Sequence, residues 1–85
     1  MTLGQSFPNP TNDVATINYS LTQTEDIAIE VTDVTGKVVE IIREGVRTAG
    51  DYQVTVNVAN YESGVYFYSL TNGVSKTTKS FTVAK

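Results

Sequence analysis

Apolar and polar residues alternate with a period of two along most of the chain, and this constrains the fold more than any other feature. In Ala15–Leu21 the apolar set is Ala15, Ile17, Tyr19 and Leu21, with Thr16, Asn18 and Ser20 between them. Ile27, Ile29 and Val31 alternate with polar or small residues in the next segment, and Tyr52, Val54, Val56 and Val58 do so further on. Side chains alternate across a strand, so each run has one apolar and one wet face, the mark of antiparallel strands packed on one side. Lys37–Ile42 breaks the pattern. Val39 and Ile41 share one parity, Val38 and Ile42 the other, so the segment is either buried on both faces or bulged.

Turn chemistry divides the runs. Thr22–Asp26 is polar. Asp33–Lys37 reads as a tight hairpin, with Asp33 as hydrogen-bond acceptor and Gly36 free to adopt positive φ. Glu44–Asp51 reads as a longer connection with a glycine near either end. Asn72–Gly73, set between Val65–Leu70 and the closing segment, is a strong hairpin signal. A short edge strand over Leu3–Phe7 brings the count to about seven, and no helical stripe competes. The expected fold is all-β, an immunoglobulin-like antiparallel β-sandwich. In that arrangement Gly64 makes a corner, Tyr66 is the candidate corner tyrosine, and Tyr66, Tyr68 and Leu70 face the core. Val65 and Phe67 then face outward.

Eighty-five residues suffice for one core. The expected organisation is a single domain over 1–85, with Met1 and Thr2 as a linker remnant. Cysteine and histidine are both absent. Disulfides, thiolate metal sites and histidine-based triads are therefore excluded. The carboxylates are scattered without an acid–base spacing. Asn12, Asp13 and Asp33 offer oxygen ligands but no calcium-loop pattern, and the serines lack a nucleophile-elbow context. Asn18–Tyr19–Ser20 matches a glycosylation acceptor but lies within an expected strand. No catalytic, cofactor or metal site is expected. A sequence pI near 4.6 opposes nucleic-acid binding. No apolar run is long enough for a membrane-spanning helix, and the first ten residues do not resemble a secretory signal. Charge is uneven. Residues 1–62 carry nine acids and three bases, whereas 63–85 carry three lysines and no acid. That makes the last hairpin a candidate for meeting an acidic partner. The last segment, with Phe81 and Val83 inward and Lys79 and Lys85 wet, is a candidate edge for strand addition, although lysines also guard edges against aggregation.

Three motifs in order carry a family resemblance. "FPNPTND", "VTDVTGKVV" and "SGVYFYSLTNG" followed by "TKSFTV" resemble the entry, hairpin and corner-plus-closing-strand motifs of the C-terminal sorting domain of the bacterial type IX secretion system. The resemblance carries over Pro8, Asn9, Pro10, Asp33, Gly36, Lys37, Gly64, Val65, Tyr66 and Lys79 as motif residues. Phe81, Val83 and Lys85 are added from the reading of the last strand. Thr11 stands where the family often has Phe, and the tail lacks paired basic residues. The resemblance implies a sorting signal, not an enzyme. It would be fused behind a cargo in a Bacteroidetes-type cell and would fold in the periplasm. Outer-membrane translocon and shuttle proteins would recognise it, and a sortase-like cysteine protease would remove it at the cell surface. Two other readings stand beside this one: an assembly module like the immunoglobulin-like domain of hook-capping proteins, and a carbohydrate-binding module using Phe67.

Overall fold

The computed structural model describes all 85 residues. Seven strands form: β1 (Thr2–Leu3), β2 (Val14–Leu21), β3 (Glu25–Thr32), β4 (Val38–Arg47), β5 (Gly50–Asn57), β6 (Gly64–Thr71) and β7 (Lys76–Val83). They make two antiparallel sheets, β1-β2-β5 and β4-β3-β6-β7, and no helix is present. The alternating runs become these strands because each apolar set can be buried only against the facing sheet. Ala15, Ile17, Tyr19 and Leu21 are buried on β2, and Ile27, Ile29 and Val31 on β3. Val54 and Val56 on β5, with Val58 just beyond it, meet Tyr66, Tyr68 and Leu70 on β6 and Phe81 and Val83 on β7. This is the expected sandwich.

β4 resolves the broken pattern of Lys37–Ile42. Register shifts interrupt its pairing with β3 between Ile27 and Ala28 and between Val31 and Thr32. Gly45, at φ +76°, supplies the left-handed residue that such a bulge accommodates at least cost. The strand is an edge, and Val38, Val39 and Ile41 are each about two-fifths exposed (44%, 40% and 45%), not buried on both faces.

Three expectations change in detail. The connection expected over Glu44–Asp51 is mostly strand, because the bulge lets Val46 and Arg47 stay paired with Asp26 and Glu25. Only Thr48 and Ala49 separate β4 from β5. The Asn72–Gly73 hairpin forms, but through the four residues Asn72–Ser75. There Asn72 Oδ1 accepts from the backbone N–H groups of Val74 and Ser75. The first strand stops at Leu3 rather than running to Phe7. Gly4 N–H still donates to Asn18 O, but Ser6 N–H turns away to the Tyr68 hydroxyl and Gln5 Nε2 to Ser80 O. Phe7 then returns to β2 as an isolated bridge to Thr16. Residues 2–11 thus close one open side of the sandwich, running along β2 and finishing on β7. At the start of this segment Thr2 pairs with Ser20, and Met1 packs against the core.

Candidate recognition surface

The aromatic run of β6 belongs to the interior. The Tyr66 hydroxyl donates to Glu62 O at 2.7 Å, the backbone bond of a tyrosine corner. The Tyr68 hydroxyl donates to Gly4 O at 2.7 Å and accepts from Ser6 N–H at 2.8 Å. Both buried hydroxyls are satisfied, which removes the main cost of placing tyrosine in a core. Burial raises the pKa of the Tyr68 hydroxyl, and the bond from Ser6 N–H partly opposes that rise. The Tyr66 and Tyr68 rings each lie 5.8 Å from Phe81, tying β6 to β7. Val65 and Phe67 sit on the outer face, about two-fifths exposed.

Two further tyrosines spend their hydroxyls on carboxylates of β4. Tyr19 donates to Glu44 Oε1 at 2.8 Å and Tyr61 to Glu40 Oε1 at 2.6 Å. The first bond crosses between the layers, the second comes from the β5–β6 connection, and both pin the edge strand β4 to the core. Burial, reinforced by the neighbouring carboxylate, pushes the Tyr19 hydroxyl up to about 12. The same causes raise Tyr61. Glu40 and Glu44 are thereby committed to structural bonds, and no three acidic side chains gather as a metal cage would need. The surface depressions are shallow and open. One lies over Ala28 and Gly45 on the outer face of the four-stranded sheet, another between the Asp33–Thr35 tip and the Glu62–Tyr66 corner.

What remains is edges. β7 is the outer strand of its sheet, and its outward backbone groups fall on alternate residues. The far half is already taken. Ser80 O accepts from Gln5 Nε2, and Thr82 N–H donates to Asn9 Oδ1 at 3.0 Å. Thr82 O accepts from Thr11 N–H at 2.9 Å, and Ala84 N–H donates to Thr11 O at 2.9 Å. Beyond this, Lys85 N–H bonds Ser63 Oγ at 3.1 Å and its ammonium bonds Ala59 O. The edge is therefore open only over Lys76–Ser80, part of the segment named from the sequence as a candidate edge for strand addition. Lys76 and Lys79 are both exposed there. Lys76 lies 3.9 Å from Glu30, an exposed pair of little energetic consequence.

The motif residues, spread over most of the chain, collect at one end of the four-stranded sheet. Pro8, Asn9 and Pro10 form the exposed stretch that passes β7, and both X–Pro bonds there are cis. Asp33, Gly36 and Lys37 make the β3–β4 turn. Asp33 Oδ1 accepts from Thr35 N–H, Thr35 Oγ1 and Lys37 N–H, and the Thr35 bonds lead in holding its carboxyl below the usual range. Gly64, Val65 and Tyr66 pair with Val83, Thr82 and Phe81, next to the entry stretch. Phe81 and Val83 are core residues, while Lys79 and Lys85 are exposed. Sequence reasoning did not single out Gln5 or Ser6, and it noted Thr11 only as standing where the family often has Phe. Thr11 is nearly fully buried, bridges Val83 in parallel and donates through Oγ1 to Val14 O. A lone threonine in a proline-rich loop carries no periodic signal by which to find it.

A family model described as the secretion system C-terminal sorting domain matches residues 5–84, from the first strap residue that reaches β7 to the residue after β7. The chain belongs to this family. No curated protein and no solved structure matches it. The sorting domain is the C-terminal sorting signal of type IX secretion. It is fused to a cargo, it interacts with the type IX machinery, and the protein carrying it goes to the cell surface or outside. The family is in general non-catalytic.

Proposed function

We propose that this sorting domain acts as a folded address label. It would form, as one domain over residues 1–85, at the C-terminus of a cargo in the periplasm. Outer-membrane translocon and shuttle proteins of the type IX system read it, and a sortase-like cysteine protease then cuts it away at the cell surface. It catalyses nothing itself. The observation that carries this reading is the match over residues 5–84 on a sandwich whose interior is closed and whose open backbone groups lie on strand edges. Siteless β-domains bind proteins by accepting an added strand. The open stretch Lys76–Ser80 fits that mode, and the acid-free hairpin around it favours an extended segment bearing acidic side chains. The motif residues, gathered at the Val83 end of the sheet beyond this stretch, supply the side-chain component of recognition.

The test fuses residues 1–85 behind a reporter that carries a signal peptide, expressed in a type IX-competent bacterium. Reporter at the cell surface or in the medium is expected. Retention in the periplasm at the level of an unfused control would reject the reading.

A further inference from the structure

The exposed Asn9 has a task that its place in a proline-rich entry loop does not announce. Its Oδ1 takes the outward N–H of Thr82, seventy-three residues away, at 3.0 Å. Thr82 lies on β7, and its N–H and C=O both bond to the entry segment rather than to β6, so they face the free side of the sheet. Asn9 takes the first of these groups and Thr11 N–H the second, at 2.9 Å. A strand docking along the whole of β7 would need both. The side chain of Asn9 thus imitates one rung of a partner strand, and the rungs left open begin at Ser80 N–H and run back to Lys76.

We propose that Asn9 is a positioning residue for recognition: by capping Thr82 it holds the end of β7 on the fold and confines strand addition to Lys76–Ser80, so that a partner segment enters in one register. This rests on the sorting reading given above. Register matters because a slip of one residue turns every side chain of an added strand to the opposite face. The occupant is an extended segment carrying acidic side chains. Lys76 and Lys79 lie within the open stretch, and no acid occurs after Glu62. Without the cap, only the flexible Gln5 side chain on Ser80 O stands between the uncovered Thr82 N–H and the open stretch, and unguarded edges pair promiscuously.

The chemistry supplies its own rescue. Asn9→Ala removes the acceptor, whereas Asn9→Asp keeps an oxygen at the same place for Thr82 N–H. Gly45→Ala serves as a stability control. It sits on β4, at the opposite edge of the sheet, where φ is +76° and no atom lies within 4 Å of an added Cβ, so it destabilises through the backbone alone. In the isolated domain, hydrogen exchange at the Thr82 amide is expected to speed up in Asn9→Ala and stay near wild type in Asn9→Asp. In the reporter fusion, Asn9→Ala is expected to lower export about fivefold, on the scale that one lost hydrogen bond sets. Asn9→Asp should restore it, and Gly45→Ala should export normally despite a melting temperature at or below that of Asn9→Ala. Export of Asn9→Ala at the wild-type level would overturn the proposal. So would an Asn9→Asp variant as defective as Asn9→Ala, or a Gly45→Ala variant that falls equally. A wild-type fusion held at the unfused level would instead reject the sorting reading itself.

Discussion

Tyrosine hydroxyls set the interior of this domain as much as aliphatic packing does. Three of the five tyrosines are buried and the other two pack partly buried against them, and the hydroxyls of Tyr19, Tyr61, Tyr66 and Tyr68 each reach a partner on another strand or in a loop. Tyr68 is the most heavily used. It alone connects β6 to the backbone on both sides of Gln5, and the closure of the sandwich by residues 2–11 hangs on it. Tyr19 offers a reading in pH. Its hydroxyl is raised from 10.0 to about 12 in the folded state, by burial first and by Glu44 second. Between those values the unfolded chain loses this proton while the folded one keeps it. The unfolded state then binds fewer protons, and stability falls as pH rises. The contribution is complete below pH 10.0 and is lost as pH climbs toward about 12. Tyr61 and Tyr68 are raised too and act with the same sign. Urea unfolding midpoints across this range are therefore expected to drop steeply for the wild type and less steeply for Tyr19→Phe. Parallel slopes for the two proteins would show that Tyr19 is not the group responsible.

Among the strands, β7 is where stability and recognition are most easily confused. Removing Phe81–Lys85 would strip out two side chains that are each only 1% exposed, so it would unfold the sandwich and say nothing about docking. Ser80→Pro is the sharper variant. The Ser80 carbonyl bonds outward to Gln5, so its N–H faces the open edge too, and that carbonyl is retained in the variant. Proline there removes one outward donor and is tolerated on an edge strand. Export of the reporter is expected to fall severalfold while the urea midpoint moves little, by about 0.5 kcal/mol or less as for a surface change. Unchanged export would place recognition elsewhere than on this edge. The contrast also shows what was legible at the level of elements. β2, β3, β5 and the core face of β6 could be read from parity alone, because one buried face imposes the period. β4 could not, because a bulge shifts the parity partway and an edge strand has too little burial to impose it. The cap on β7 was equally invisible. Its bonds come from a loop at the far end of the chain, through one amide side chain and the backbone of one threonine, and neither leaves a pattern in the local sequence. The motif residues were legible one by one, but their meeting at one end of the sheet is a product of topology.

Taken whole, the molecule brings both ends of its sequence to the same edge, and the recognition surface exists only while they are held there. Gln5, Asn9 and Thr11 bond Ser80, Thr82 and Ala84 across more than seventy residues. The tail beyond β7 is pinned in turn to Ser63 and Ala59. A linear tail peptide has none of these restraints. If the secretion machinery reads the folded object, export must follow the folded fraction, and that can be altered without touching any surface residue. Ile29 is fully buried on β3, the strand between β4 and β6, far from the entry loop in sequence. Ile29→Ala should cost about 2–5 kcal/mol, the usual range for such a truncation. That is a large share of what an 85-residue domain possesses, on a scale of roughly 5–15 kcal/mol for domains generally. The folded fraction therefore becomes sensitive to temperature near growth conditions. A reporter fused to Ile29→Ala is expected to be exported at low temperature and lost at high temperature, its threshold tracking the unfolding transition of the isolated variant measured by circular dichroism. Export that persists above that transition would mean that the machinery reads a stretch of unfolded chain, and neither the edge at Lys76–Ser80 nor its cap would then have a part in sorting.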